Sequence, residues 1–186
     1  NSAANKDNSF KTTHALSSIK TGAGNDDITI GTYDINNVFY GSTVAKSIST
    51  GAGDDIVRAN LGEKATADLG AGDDTFLGVV SKDSSVNAGA GDDVIRLVSA
   101  LPEWNKDGSK FISSIKIDGG TGSDTLDLST GVTPLNVQIT EYRGIESIRG
   151  IEKLIVGTGT QLAANAFSGQ KIQLSGNSLV LDAQDA

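Results

Sequence analysis

The chain has 186 residues, room for one domain and too little for two of full size. Hydrophobic residues make up only 37%, with 23 glycines and nine aromatics, so a thin, stacked core fits better than a thick globular one. The net charge of −8 argues against a nucleic-acid ligand, and the absence of cysteine excludes disulfides, thiolate metal sites and cysteine nucleophiles.

There is also no methionine, which leads us to expect a processed piece of a longer chain. No apolar run approaches the roughly 18 residues of a membrane span, so direct membrane insertion is not expected, and the polar opening at 1–10 is no signal peptide. Export would then be directed from outside this stretch. The acids divide unevenly, 18 aspartates to 5 glutamates. Aspartate has the short stem that suits tight turns and hard cations, so the excess points to turns and metal.

In chain order, residues 1–18 are expected to cap the start of a stack. The organising feature follows. GAGNDD occupies 22–27, GAGDD recurs at 51–55, 70–74 and 89–93, and GGTGSD lies at 119–124. The glycines Gly22, Gly51, Gly70, Gly89 and Gly120 stand at intervals of 29, 19, 19 and 31 residues. Two intervals are a bare period and two carry an insertion. Apolar positions repeat around each turn: Ile19, Ile48, Ala67, Val86 and Ile117 before it, then Ile28, Val57, Phe76, Ile95 and Leu126 after it. Two residues further on stand Ile30, Ala59, Gly78, Leu97 and Leu128. This is period-2 alternation on both sides of a glycine turn, repeated in every unit. One unit cannot bury its apolar face alone, whereas units stacked at about 4.8 Å share a core. The fold class expected is all-β, a parallel β-solenoid.

The turns bring aspartates into line. Asp26, Asp55, Asp74, Asp93 and Asp124 would stack at the unit spacing, and two carboxylates that close repel by about 3–4 kcal/mol at an effective dielectric of 20. Such a row stays ionised and buried only with cations between its members. The pairs Gly22 and Gly24, Gly51 and Gly53, Gly70 and Gly72, Gly89 and Gly91, and Gly120 and Gly122 let the backbone turn its carbonyls to the same point. Carboxylates with carbonyls suit Ca²⁺, which takes six to eight oxygens; Mg²⁺ demands a stricter octahedron, and no His or Cys cluster invites zinc. Five turns make about four to five calcium sites. Alternation should point Asn25, Asp54, Asp73, Asp92 and Ser123 outward.

These turns match the nonapeptide GGxGxDxUx, fully at 119–127 and elsewhere lacking only the first glycine, replaced by Thr21, Thr50, Leu69 and Ala88. On these residues the chain resembles the RTX (repeats-in-toxin) family of secreted calcium-binding toxins, hydrolases and large adhesins of Gram-negative bacteria. The resemblance covers 19–128, roughly 60% of the chain. It implies an RTX β-roll-like solenoid with about five calcium turns along one edge. The 19-residue period looks like adhesin-type solenoids, in which only one edge of each coil carries a calcium turn. The resemblance further implies an extracellular, cell-surface location and a monomeric module within a very long chain.

Two insertions, 31–46 and 99–111, fall away from the glycine turns and hold Tyr33, Phe39, Tyr40, Trp104 and Phe111, over half of the aromatics. Aromatic loops on a rigid scaffold suit ligand contact, and they equally suit caps over an edge. The candidate ligand-binding residues are Tyr33, Asp34, Tyr40, Glu103, Trp104 and Asp107. After residue 128 the calcium turns stop. The stretch 135–156 reads as strands, 160–167 as containing a helical turn, and 171–183 as a final hairpin or coil. Segment 129–186 should therefore continue and cap the stack, and no linker divides 1–186.

Catalysis is not expected. His14 is the single histidine and has no nucleophile near it in sequence, and there is no GxSxG, HExxH or P-loop lysine. The functional expectation is a calcium-dependent adhesion module that binds a peptide, protein segment or glycan on another cell. Two alternatives stay open: a calcium module that binds carbohydrate for a polysaccharide-modifying enzyme, and a calcium-driven folding or secretion spacer without a ligand.

Overall fold

The computed structural model describes residues 6–33, 39–40, 43–99, 103–104, 106, 108, 111–112, 114–129, 142–167, 171–176 and 179–182. The strands are β1 (Ser9–Thr12), β2 (Ile19–Ala23), β3 (Asp27–Ile30), β4 (Thr32–Tyr33), β5 (Phe39–Tyr40), β6 (Ala45–Ala52) and β7 (Ile56–Ala59). Next come β8 (Leu61–Ala71), β9 (Thr75–Val79), β10 (Ser85–Ala90), β11 (Val94–Ser99), β12 (Glu103–Trp104), β13 (Phe111–Ile112) and β14 (Ile115–Thr121). The chain closes with β15 (Thr125–Leu128), β16 (Ile145–Arg149), β17 (Lys153–Val156), β18 (Thr160–Ala163), a 3-10 turn at Ala164–Phe167, β19 (Gln173–Gly176) and β20 (Leu179–Asp182).

Two parallel sheets hold most of these strands. The first runs β1-β3-β7-β9-β11-β15-β17-β19 and the second β16-β14-β10-β8-β6-β2. From β2 to β17 the chain passes back and forth between them, crossing through a glycine turn one way and along the far edge on its return. The protein is thus all-β with parallel sheets, an arrangement consistent with a solenoid-like fold.

The register follows the sequence period. In the second sheet Gly22, Gly51, Gly70, Gly89 and Gly120 are successive partners, and so are Ile19, Ile48, Ala67, Val86 and Ile117. In the first sheet Phe10, Ile28, Val57, Phe76, Ile95, Leu126, Leu154 and Leu174 form one continuous row. Ile28, Val57, Phe76, Ile95 and Leu126 are fully buried, while Phe10 and Leu174, at the two ends of the row, are exposed. One contiguous apolar cluster runs from Ile28 to Ala166.

Gly78 interrupts the second apolar row for a packing reason. A Cβ there would lie 1.8 Å from the Ala59 carbonyl oxygen and 3.3 Å from the Phe76 ring. The Ala59 carbonyl occupies the place a side chain would need, with the Phe76 ring beside it.

Both insertions are antiparallel hairpins on the far edge. β4–β5 lies between β3 and β6, and β12–β13 lies between β11 and β14. Beyond the repeats, β16 and β17 continue the two sheets, and the 3-10 turn packs on β16. Of the two readings of 171–183, hairpin or coil, the described strands take the second. β19 pairs with β17 and β20 with β18, both parallel, so these strands extend the stack instead of folding on each other. The strand expectation at Val137 and Ile139 lies outside the described residues.

Among the described residues Tyr142 is the largest fully buried side chain, and its hydroxyl donates to the Leu97 carbonyl at 3.0 Å. It fills the interior where β11 gives way to the second inserted hairpin. Burial raises its phenol above the ordinary range, which keeps it a donor. Tyr142→Phe should cost about 1 kcal/mol through the lost bond, and Tyr142→Ala about 3–5 kcal/mol through the cavity. Denaturant unfolding of the two variants measures both.

Candidate metal centre

The turn sequence dictates its own geometry. All ten repeat glycines have φ between +99° and +141°, a region closed to residues with a Cβ. Stacking tightens the requirement. A Cβ on Gly70 would sit 1.9 Å from the Gly51 carbonyl oxygen, so no side chain fits between adjacent turns.

The turns carry Asp26, Asp55, Asp74, Asp93 and Asp124, each no more than 2% exposed. Each reaches back to the preceding turn. The backbone N–H of Asp26 donates to Asp55 Oδ1 at 2.8 Å, Asp55 to Asp74 at 2.7 Å, Asp74 to Asp93 at 2.8 Å, and Asp93 to Asp124 at 2.8 Å. One oxygen of each carboxyl is thereby committed. The other is not. Among the described residues, the buried side-chain polar atoms without a hydrogen-bond partner are five, and all five are the Oδ2 atoms of this ladder.

The outward row is also as expected: Asn25, Asp54, Asp73, Asp92 and Ser123 are exposed. These residues form a second ladder that runs the other way. The N–H of Asp54 donates to Asn25 Oδ1 at 3.0 Å, Asp73 to Asp54 at 2.9 Å, Asp92 to Asp73 at 2.8 Å, and Ser123 to Asp92 at 2.9 Å. Each turn is tied forward by its inner residue and backward by its outer one.

The protonation balance shows the strain of the inner row. Burial pushes Asp74 up to about 7, against the N–H of Asp55, with Asp55, Asp93 and Asp54 adding repulsion. Burial likewise lifts Asp124 to about 6, helped by Asp93, Glu152 and Asp92. Asp55 and Asp93 are raised for the same first cause. A desolvated carboxyl with one orphaned oxygen has two remedies, a proton or a cation.

The residues fit a hard cation such as Ca²⁺ in kind: orphaned carboxylate oxygens beside glycine-built turns. Among the described residues, no three His, Cys, Asp or Glu side chains converge as a metal-binding group. Acid side chains alone would not fill a shell of six to eight oxygens, so backbone carbonyls would have to supply the balance.

Sequence reasoning missed several members of the edge. Thr50 is buried and donates its hydroxyl to the Leu69 carbonyl at 2.6 Å; the Thr21 hydroxyl donates to the Thr50 carbonyl at 3.0 Å. Both stand where the full motif has its first glycine, which was the available signal. Asn8 and Glu152 occupy the two ends of the inner ladder, outside any glycine repeat.

Of the ligand candidates, Tyr33 and Tyr40 lie in one far-edge hairpin, and Glu103 and Trp104 in the other. Asp34 and Asp107 lie outside the described residues. Register pairs Tyr33 with Phe39 and Trp104 with Phe111. The two hairpins leave strands three places apart in the first sheet, about 14–15 Å. No family model, curated protein or solved structure matches this chain.

Two outcomes follow. The folded-state pKa of Asp74 and Asp124 lies above the unfolded 3.8, so the metal-free fold holds protons that the unfolded chain releases. The stability these two groups contribute is then fully present below pH 3.8 and is lost as pH rises through about 6 to 7. Melting in chelator should drop between pH 5 and 8, and added Ca²⁺ should remove the drop. Second, Asp74→Ala should lower the melting temperature in Ca²⁺ well below that of Asp73→Ala, because Asp74 is buried with turns on both sides while Asp73 is exposed. Equal melting temperatures would mean that the inner row has no special role.

Proposed function

We propose that the chain is a calcium-stiffened parallel β-solenoid of the RTX kind, serving as a ligand-binding module of a bacterial surface adhesin. The observation that carries this is the row of five orphaned Oδ2 atoms on one edge, set opposite an edge bearing two hairpins. Ca²⁺ between successive turns would satisfy the oxygens that the fold leaves open. Its ligands would be Asp26, Asp55, Asp74, Asp93 and Asp124 with carbonyls of the turn glycines.

The far edge supports the ligand half of the proposal. A regular crossing there is short: β7 to β8 spans one residue and β9 to β10 spans five. Two of the longer crossings, β3 to β6 and β11 to β14, instead carry antiparallel hairpins that pair aromatic register positions. A pure spacer has no use for such irregular additions. A gap of about 14–15 Å suits a short peptide or an oligosaccharide. Lysine and arginine are too few and scattered to favour an anionic polymer, which counts against the polysaccharide-enzyme alternative.

Calcium then does two things. It removes the repulsion within the ladder, and it couples folding to the medium, since extracellular modules bind Ca²⁺ at about 10⁻⁴ to 10⁻³ M. At pH 8, where the ladder carboxyls are ionised, far-ultraviolet circular dichroism should show the β signal collapse in excess chelator and return with millimolar Ca²⁺; a signal and melting point untouched by chelator at that pH would refute the calcium reading. Screening on a peptide and glycan array with Ca²⁺ should reveal a ligand, and Trp104→Ala with Tyr40→Ala should abolish its capture while Ca²⁺-dependent folding persists. A double variant that still binds would make the hairpins caps and the module a spacer.

A further inference from the structure

The inner ladder outlasts the glycine-aspartate repeats. Lys153 pairs with Thr125, which sets Glu152 at the register position of Asp124. Glu152 Oε2 accepts the Asp124 N–H at 2.8 Å, the same bond, at the same length, that Asp124 Oδ1 accepts from Asp93. The step from Asp124 to Glu152 therefore repeats the step between two calcium turns.

That step also brings together oxygens of the right chemistry. Asp124 is 1% exposed, and its Oδ2 has no partner. A methyl group placed on Gly119 would lie 2.1 Å from the Gly150 carbonyl oxygen and 2.8 Å from Asp124 Cγ. The Gly150 carbonyl and the Asp124 carboxyl thus converge on one point, too close to admit a side chain on Gly119. Glu152 adds a second negative charge next to Asp124.

The opposite end of the ladder is finished differently. Asn8 stands at the register position of Asp26, since Ser9 pairs with Asp27. Its backbone N–H and its Nδ2 both donate to Asp26 Oδ1 at 2.7 Å, and Nδ2 also donates to the Lys6 carbonyl at 2.9 Å. An amide nitrogen already bridges carbonyl and carboxylate there, as a cation would, and it brings no negative charge.

We propose that Glu152 completes one more calcium site at the C-terminal end of the ladder, with Asp124 and the Gly150 carbonyl, whereas Asn8 closes the N-terminal end without an ion. This rests on the calcium reading above and extends it to a residue outside every repeat. The last site differs from the others in that Glu152 is exposed, so its ion exchanges with solvent most readily.

The test is the calcium count by native mass spectrometry on the whole chain, stripped with chelator and reloaded. Glu152→Gln keeps an acceptor for the Asp124 N–H but removes the charge, and should carry one ion fewer than the parent. Asn8→Ala should carry the same number as the parent. Equal, non-zero counts for the parent and Glu152→Gln overturn this inference alone, as does an ion lost from Asn8→Ala. A parent that binds no calcium at all overturns the calcium reading and this inference with it. Should Glu152→Gln fail to fold, Glu152→Asp carries the test: its last ion should leave at about tenfold higher free Ca²⁺ than in the parent, and an unchanged release profile refutes the site.

Discussion

Every turn on the acid edge is fixed by a carboxylate that must hold the preceding turn's backbone N–H. One oxygen of each ladder aspartate is spent on that bond, and the other is buried with nothing to meet it. This single arrangement dictates the rest of the edge. The aspartate must be short enough to stay inside its own turn while reaching the turn before. The flanking glycines must lack side chains, because adjacent turns leave under 2 Å between a would-be Cβ on Gly70 and the carbonyl below it. Among the glycine-aspartate turns, length changes are excluded as well. An extra residue would break both ladders and shift every side chain of the following strand to the other face.

The two ladders account for how a stack with so thin a core stays in register. The inner one sends each N–H forward to the next turn's carboxyl, and the outer one sends each N–H back to the previous turn's side chain. Sliding one turn over its neighbour would break a bond in each direction. The outer bonds are exposed, so each is worth on the order of 0.5–1.5 kcal/mol at most. The inner bonds are charge-assisted when the carboxyl is ionised and correspondingly stronger. Ionisation, however, is what burial opposes. The metal-free edge therefore holds its geometry against an electrostatic penalty that only protons or cations remove.

The repeat register, the inward aspartates and the buried rows were legible in the sequence because stacking forces identical residues into identical environments. Period-2 alternation around Gly51 or Gly89 says which side chains meet, and a chain this regular leaves little choice. What was not legible lies where regularity ends. Glu152 carries an extra methylene, sits in a turn three residues shorter than that of Asp124, and follows no glycine pair, so no motif points to it. Asn8 belongs to a half-formed unit with no glycine at all. Gly78 stands among larger residues in its row because the Ala59 carbonyl of the adjacent strand lies where its side chain would be. For 171–183 the sequence left hairpin and coil both open, because the partners that decide it, β17 for β19 and β18 for β20, lie a full circuit away, beyond the reach of local turn signals.

The division between the two edges follows from the same constraint. Insertions at 31–46 and 99–111 both fall on the crossing that carries no ladder, and the strands on either side of each insertion keep their places: β3 still pairs with β7, and β11 with β15. The far edge tolerates new residues because its crossings need only return the chain to the second sheet. Lys64 and Asp83 show how lightly that edge is specified: both take a left-handed conformation at equivalent positions 19 residues apart, and neither is glycine. Chemistry that must vary can be added on that side without touching the carboxylate row. The rigid edge sets the spacing of about 4.8 Å per circuit, so the distance between two far-edge hairpins is fixed by the number of circuits between them. A change in that number would move one hairpin relative to the other in whole steps, leaving each hairpin's own structure intact.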